Sequence, residues 1–264
     1  MAEKTNSTPK ELSHKGRYDP VQKAEEVAKV VCRDDLRKYY RFRPARFYGG
    51  IATADCVGCC LRCLFCWSWP KVIQPEQSGR FYSPNEVART LTVIARKKGF
   101  RQMRISGNEP TIGRNHLIKV LEFVPKDILF ILETNGILIG QDETYADDLA
   151  RHENLYVRVS LKGCNEEEFS KLTGAHPQGF ALQLKALENL SRAGVNVHPA
   201  VMVSFSPAGA VEALRTRLGK IDRAFQDIEV EELAFWGDVE KRLIKAKIEY
   251  GKAYHVDGIP PEQV

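Results

Sequence analysis

The sequence contains no long apolar run. No stretch of its 264 residues approaches the roughly 18 apolar residues of a membrane-spanning helix. The first 17 residues, MAEKTNSTPKELSHKGR, also lack the apolar block of a secretory signal peptide. We therefore expect a soluble protein of the cytoplasm. An apolar fraction of 43% is sufficient for a substantial core, and the length is compatible with one α/β domain.

Cysteine is scarce except in one place. The chain has seven cysteines, and five of them lie within DCVGCCLRCLFCWSWP, residues 55–70. In a reducing compartment, crowded cysteines are more often metal ligands or redox groups than disulfide partners. The net charge of +5 permits an acidic or phosphorylated partner without requiring one.

Strand and helix patterns alternate along most of the chain. Amphipathic helices fill the intervals between strands, and the clearest begins at Ser83 and ends before Gly99, with Glu86 completing a capping box. Strands separated by helices imply right-handed crossovers and a parallel sheet. A curved sheet or partial barrel is favoured because functional signals follow several strand ends. The short apolar or β-branched runs that predict the strands are GIATAD, RQMRIS, DILFILET, LYVRVSLK, VNVHPAVMVSF and DIEVEELAFW.

The N-terminal residues differ in composition from the rest. Residues 1–17 are polar and aperiodic, which indicates a disordered tail. Residues 18–48 are predicted as a basic helical extension that ends at Pro44, and residues 49–264 as the core domain. Within the extension, residues 37–47, RKYYRFRPARF, interleave basic and aromatic side chains. This pattern occurs on nucleic-acid surfaces, but we favour an amphipathic strap whose aromatic rings cover the fold.

Two overlapping cysteine triplets share the spacing Cys-x-x-x-Cys-x-x-Cys. One comprises Cys59, Cys63 and Cys66, and the other comprises Cys56, Cys60 and Cys63. Three thiolates at this spacing can wrap around one corner of an iron–sulfur cube and leave the fourth iron open to substrate. The alternative is a structural zinc site, because the loop also contains two Cys-x-x-Cys pairs. Only three residues separate those pairs, whereas zinc sites usually separate them by about a dozen or more.

The loop sequence CCLRCLFC resembles the motif of the radical S-adenosylmethionine (SAM) superfamily, Cys-x-x-x-Cys-x-aromatic-Cys. Cys59, Cys63 and Cys66 match as cluster ligands, and Phe65 matches as the aromatic residue, where the other triplet has an arginine. The resemblance covers roughly residues 49–236. It implies a partial (β/α)6 barrel with a [4Fe-4S] cluster and SAM as cofactors. It also implies reductive cleavage of SAM to a 5′-deoxyadenosyl radical that abstracts hydrogen from a substrate.

A first supporting motif, SGNEP at residues 106–110, follows the second predicted strand. It resembles the family's Gly-Gly-Glu-Pro segment, in which strand-end backbone and the glutamate hold the methionine ammonium of SAM. Gly107 allows close backbone approach, and the carboxylate of Glu109 complements a positive charge. Asn108 stands in place of the second glycine and tolerates a left-handed backbone.

A second motif, ETNG at residues 133–136, ends the third predicted strand. By itself, Asn-Gly is a strong turn signal. The motif also resembles the (D/E)TNG segment of the activating enzymes of glycyl-radical enzymes. That resemblance assigns Glu133, Thr134 and Asn135 to the ribose and methionine side of the cofactor.

The third motif is VRVSLKG, residues 157–163, in the fourth predicted strand. Alternation places Arg158, Ser160 and Lys162 on one face, which we expect to line the cavity and to meet negative charge there. Lys162 matches a lysine of the activating enzymes, and Ser160 stands where those enzymes have an aspartate that helps to bind a monovalent cation. His198 on the fifth strand is a further candidate for the cavity.

Several functions remain open at this stage. The likeness to the activating enzymes favours a protein glycine as substrate, and a nucleic acid, a lipid or a small metabolite are alternatives. The oxidoreductase-type chemistry requires a low-potential electron donor such as flavodoxin or ferredoxin. No cysteine follows Cys164, so the chain has no cysteine-rich C-terminal segment for an auxiliary cluster. A hypothesis of a different class is a zinc-binding module whose basic N-terminal segment binds nucleic acid.

Overall fold

The computed structural model describes residues 16–260, and almost all of the predicted tail lies outside them. The described chain forms an α/β fold. Its strands are β1 (Cys32–Arg33), β2 (Leu36–Ala45), β3 (Ile51–Cys56), β4 (Arg80–Tyr82), β5 (Gln102–Ser106), β6 (Leu129–Thr134), β7 (Leu155–Leu161), β8 (Asn196–Met202), β9 (Glu229–Glu231), β10 (Leu233–Phe235) and β11 (Ala253–His255). Its α-helices are α1 (Pro20–Val31), α2 (Trp69–Ile73), α3 (Pro84–Lys98), α4 (Arg114–Glu122), α5 (Ile137–Gln141), α6 (Thr144–Leu149), α7 (Glu166–Thr173), α8 (Gln178–Arg192), α9 (Ala208–Leu218) and α10 (Val239–Lys245).

Six strands form a parallel sheet in the order in which they occur along the chain. β3, β5, β6, β7, β8 and β9 pair as successive neighbours. Each overlaps one of the six runs that predict strands, so the predicted α/β fold with a parallel sheet is confirmed. Among the described strands, pairing ends at β9 and does not return to β3. The last predicted strand corresponds to two strands in the structure, β9 and β10, because β10 leaves this sheet and pairs with β11.

The N-terminal extension is helical only in part. α1 begins after Asp19, whose side chain caps it, and ends at Val31. The predicted continuation to Pro44 is wrong, because β2 occupies that segment and pairs antiparallel with β3. Aromatic residues favour strands, and β2 covers an edge of the parallel sheet that would otherwise expose its backbone groups. Tyr39 is 2% exposed and stacks on Phe42, so the aromatic rings cover the fold from a strand.

α3 begins at the cap and ends at the glycine that the sequence indicates. Ser83 and Glu86 form the reciprocal capping box of α3, and Gly99 ends that helix with a left-handed backbone. The main apolar core fills the space between the helices and the parallel sheet. No helix within residues 16–260 is both long and apolar enough to cross a membrane.

A second, smaller apolar cluster joins the C-terminal segment to the cysteine loop. Leu64 and Phe65 of that loop pack against it. The loop is thereby held between the parallel sheet and the C-terminal segment. The buried members of this cluster are Leu172, Met202, Leu233, Val239, Leu243 and Ile248.

Candidate functional site

The carboxyl ends of the parallel strands border a cavity of about 770 Å³. Residues of β2, β5, β6, β7, β8 and β9 line this one space, so the sheet curves around it as a partial barrel requires. Of the residues that the sequence predicts for the site, only His198 is absent from the lining. The predicted residues in the lining are Cys59, Cys63, Phe65, Cys66, Gly107, Asn108, Glu109, Glu133, Thr134, Asn135, Arg158, Ser160 and Lys162.

The cysteine loop follows β3 and divides its thiols between the cavity and the core. Cys59, Cys63 and Cys66 line the cavity. Cys56 and Cys60 are fully buried members of the main apolar core and do not line the cavity, whereas Cys63 belongs both to that core and to the lining. The division matches the register in which an aromatic residue precedes the last cysteine, so the geometry favours that register over the other.

The electrostatics of the loop favour the thiolate form at Cys59 but not at Cys63 or Cys66, whose pKa values are raised by burial. The sulfur of Cys59 accepts a hydrogen bond from the backbone N–H of Leu61 at 3.3 Å and a longer one from the Asn135 amide at 3.6 Å. A hydrogen bond from the Cys60 thiol is the main cause of a lowered pKa at Cys59. Burial raises the pKa of Cys66 to about 11. A bound metal would therefore have to displace the proton of Cys66, and such displacement is normal for cysteine ligands.

A lone zinc ion and an iron–sulfur cluster place different demands on the donor set. Within residues 16–260, no three His, Cys, Asp or Glu side chains are gathered closely enough to hold one metal ion. A structural zinc requires four ligands that converge on a single ion, whereas each thiolate of an iron–sulfur cluster binds its own iron. Cys59, Cys63 and Cys66 all line the cavity, and N–H donors are directed at the sulfur of Cys59, which is compatible with three thiolates that each bind a separate iron.

Glu109 connects the SGNEP and ETNG loops. It is 1% exposed, and its carboxylate accepts hydrogen bonds from the backbone and hydroxyl of Thr111 at 3.1 and 2.7 Å. It also accepts from the Thr134 hydroxyl at 2.6 Å and from the backbone of Asn135 at 2.8 Å. Sequence analysis predicts only a contact with a cofactor ammonium. In the structure, any such contact would share a carboxylate that four protein donors already fix.

Asn108, the departure from the family motif, has a structural role in this chain. Its side-chain oxygen accepts a hydrogen bond from the backbone N–H of Gly58 at 2.9 Å, and the N–H of Glu109 returns one to the Gly58 carbonyl at 3.1 Å. Gly107 has a left-handed backbone, and a Cβ there would lie 2.9 Å from the Cα of Asp55. The SGNEP loop is therefore packed and hydrogen-bonded directly onto the start of the cysteine loop.

Glu133 is surrounded by polar side chains, and the sequence predicts only some of them for the site. Its carboxylate pairs with Arg104 at 2.5 Å and accepts hydrogen bonds from Ser106 at 2.7 Å and Tyr48 at 2.8 Å. Burial would raise the pKa of Glu133, but the charges of Arg104 and Arg158 outweigh burial and hold the pKa below its usual value. Glu133 is therefore an ionised carboxylate on the cavity wall.

The polar face of β7 lies against negatively charged side chains, as expected, and these side chains belong to β9. Arg158 pairs with Glu229 at 2.5 Å and Glu231 at 3.0 Å, both on β9. Ser160 donates to Glu231 at 2.8 Å, and the Lys162 ammonium donates to Ser160 at 2.5 Å. Sequence analysis missed both glutamates because their partners are about 70 residues away. Alternating acids in DIEVEELAFW were the available signal.

His198 does not line the cavity, which corrects the prediction. It lies beside Arg158 in the pairing of β7 with β8, but its ring stacks on Tyr156 with centroids 5.1 Å apart. Its Nε2 forms a 2.6 Å contact with Glu229. Burial would raise the pKa of Glu229, but the His198 hydrogen bond and Arg158 together lower it to about 2. His198 thus contacts Glu229, a residue of the cavity lining, without lining the cavity itself.

The lining of the cavity contains charged side chains of both signs. Arg41 and Arg43 both pair with the fully buried Asp55, at 2.6 and 2.9 Å, and exposed Arg46 also belongs to the lining. Two guanidinium groups on one carboxylate leave an excess of positive charge. The glutamates of β9 and the adjoining residue, Glu229, Glu231 and Glu232, also line the cavity, and Arg158 and Lys252 form ion pairs with them. Two half-exposed rings, Trp67 and Trp236, also belong to the lining.

Comparison with known proteins identifies the family. A sequence model described as the radical SAM superfamily matches residues 55–211. A protein of Methanosarcina acetivorans named "Probable GTP 3′,8-cyclase" is 26% identical over 226 residues, which cover 78% of this chain and 66% of that protein. A protein of the same name from Thermoplasma volcanium is 27% identical over 139 residues, which cover 52% of this chain and 39% of that protein. This chain thus spans less than two thirds of either relative.

The fold also resembles that of a solved structure. The crystal structure of Streptococcus suis SuiB bound to precursor peptide SuiA superposes with a TM-score of 0.55 at 19% identity. The superposition covers 76% of this chain and 42% of SuiB. None of these matches supports the predicted subgroup of glycyl-radical activating enzymes, because the relatives carry other names. A family match over more than half of the chain shows that this protein belongs to the radical SAM superfamily of enzymes, which use a [4Fe-4S] cluster and SAM.

Proposed function

We propose that this protein uses SAM to abstract a hydrogen atom from a substrate held in the strand-end cavity. One observation carries the proposal. Of the five cysteines in the loop, the three that match the family motif are those that line the cavity, together with the SGNEP and ETNG residues. Cluster ligands and cofactor contacts therefore share one space, large enough for a cofactor and part of a substrate.

Each group of residues has a separate task in this proposal. Cys59, Cys63 and Cys66 would hold the cluster, which together with SAM supplies a carbon radical when a low-potential donor such as flavodoxin or ferredoxin provides an electron. Glu109 fixes the loops that would receive the amino-acid part of SAM. Phe65 packs on Phe205 with ring centroids 5.2 Å apart, and it covers the cysteine loop on the C-terminal side.

For the substrate, we propose a purine nucleotide. The relatives' name supplies one support, and the charge of the cavity supplies a second. The excess positive charge of Arg41, Arg43 and Arg46 suits phosphate groups. The carboxylates of Glu229 and Glu231 already accept from Arg158, His198 and Ser160, and their remaining lone pairs suit the N–H donors of a guanine edge. The sequence favours a protein glycine as substrate instead, and evidence for that substrate would replace this proposal.

The cysteine register is the first prediction. Alanine at Cys59, Cys63 or Cys66 should abolish both iron binding and 5′-deoxyadenosine formation, because each change removes an iron ligand. Cys56→Ala and Cys60→Ala should keep most of both, because their thiols lie in the apolar core. Iron content after anaerobic reconstitution and chromatography of the nucleoside product provide the measurements. Loss of iron in Cys60→Ala with retention in Cys66→Ala would overturn the assignment.

The second prediction concerns Glu109. Glu109→Ala should weaken SAM binding by about ten- to a hundredfold, the equivalent of about 1.5 to 3 kcal/mol for a charged hydrogen bond, while iron is retained. It should also lower the free energy of unfolding, because four buried donors lose their acceptor. Thr134→Val removes one of those donors but keeps the carboxylate, so its effect on SAM affinity should be smaller. Reduced stability with unchanged SAM affinity would show that Glu109 only joins the loops.

The third prediction tests the substrate class. Arg46→Gln should weaken GTP binding by about tenfold through the loss of a charged contact to phosphate. Arg96→Gln removes an exposed guanidinium of α3 that pairs with Asp127 and does not line the cavity, and it should leave GTP binding unchanged. Anaerobic calorimetry with GTP and guanosine measures both effects. Stimulation of 5′-deoxyadenosine formation by a glycine-containing peptide, with none by GTP, would contradict the nucleotide proposal.

A further inference from the structure

The cysteine loop is held from outside the parallel sheet by one arginine. Arg242, on α10, donates from Nε to the carbonyl of Leu64 at 3.0 Å and from a terminal nitrogen to the carbonyl of Cys66 at 2.5 Å. Its guanidinium also lies over the ring of Trp69, 5.0 Å from the ring centroid. A planar guanidinium can reach two carbonyls and a ring face together, which an ammonium group does not match.

The same short segment is fixed on its other side by backbone and apolar contacts. The N–H of Leu64 donates to the carbonyl of Leu172 at 2.9 Å, and the N–H of Cys66 donates to the carbonyl of Cys63 at 3.0 Å. Leu64 packs into the small apolar cluster, of which Leu243 on α10 is a fully buried member. α10 therefore contacts the loop through both its apolar face and Arg242. Residues 64–66 have few backbone groups that are free to rearrange.

A positive charge beside a cluster ligand has an electrostatic consequence. Reduction adds one negative charge to an iron–sulfur cluster, and a nearby cation stabilises the reduced state more than the oxidised state. The effect is large only where water is limited, and Arg242 is half-buried between the loop and Trp69. Lys241 and Lys245 lie on the same helix but are exposed, so solvent screens their charges.

We propose that Arg242 is a positioning residue that holds the carbonyls of the cysteine loop and favours reduction of the cluster bound there. The inference rests on the proposed function only in requiring that Cys59, Cys63 and Cys66 hold a cluster. It assigns to the C-terminal segment a direct part in cluster retention. Two separable effects follow: the hydrogen bonds limit loss of iron, and the charge sets the reduction equilibrium.

Three variants of the reconstituted protein separate these effects. Arg242→Met keeps an apolar side chain over Trp69 but removes the charge and all donors. Arg242→Lys keeps the charge but does not reach both carbonyls. Lys245→Met makes the same charge change at an exposed position of the same helix. Reduction is followed by electron paramagnetic resonance during anaerobic titration with dithionite, and cluster retention by the rate of iron release to a chelator.

Arg242→Met should make the reduction equilibrium about tenfold less favourable, which is about 59 mV for one electron, and should release iron about tenfold faster. Arg242→Lys should restore the potential but not the slow iron release. Lys245→Met should match the wild type in both. A wild-type potential in Arg242→Met, or wild-type iron release in Arg242→Lys, would overturn the corresponding part of the proposal.

Two further outcomes are decisive. If Arg242→Met does not fold, Arg242→Lys decides whether the carbonyl contacts retain iron, and Arg242→Gln, which is neutral and keeps a donor, decides the effect of charge. A wild-type protein that binds no cluster would refute the proposed function and this inference together. A wild-type cluster with unchanged behaviour in all Arg242 variants would refute the inference alone.

Discussion

A buried carboxylate, that of Glu109, connects the loops on which the site depends. Its hydrogen bonds to Thr134 and Asn135 join the end of β5 to the end of β6. Asn135 in turn directs its amide at the sulfurs of Cys59 and Cys60, at 3.6 and 3.3 Å. The geometry of the cysteine loop is therefore fixed by the same group that shapes the predicted cofactor pocket. Because the group is buried, each of these hydrogen bonds is costly to break without replacement.

Charge pairing sets the second constraint, since burial of ions is unfavourable unless they have partners. Arg158 is 7% exposed and is neutralised by Glu229 and Glu231, which link β9 to β7 across β8. Arg104 is 5% exposed and pairs with Glu133. These pairs allow the inner face of the sheet to remain polar, as a cavity for charged ligands requires. The arginines near Asp55 are the exception, because they outnumber their carboxylate.

Local patterns in the sequence were sufficient for the parallel strands and for most of the lining. Motifs such as SGNEP and ETNG lie directly after strands, so the fold brings them to one edge of the sheet. Contacts between distant segments were not predictable in this way. The hydrogen bonds of Ser160 to Glu231 and of Arg242 to the Cys66 carbonyl form only when the chain folds. The segment of β2 was predicted as a continuation of the helix, because the periodicity of its own sequence does not show that it pairs with β3. His198 shares a strand face with a cavity residue, Met202, but lies behind Glu229.

The central claim is that three cysteines hold a [4Fe-4S] cluster with one iron open to SAM. Electron paramagnetic resonance of the anaerobically reconstituted, reduced protein tests it directly, with and without SAM. The account predicts about four irons per chain and a reduced-cluster signal whose g values change when SAM is added. A colourless protein that contains zinc, or a cluster signal that SAM does not alter, would contradict the account.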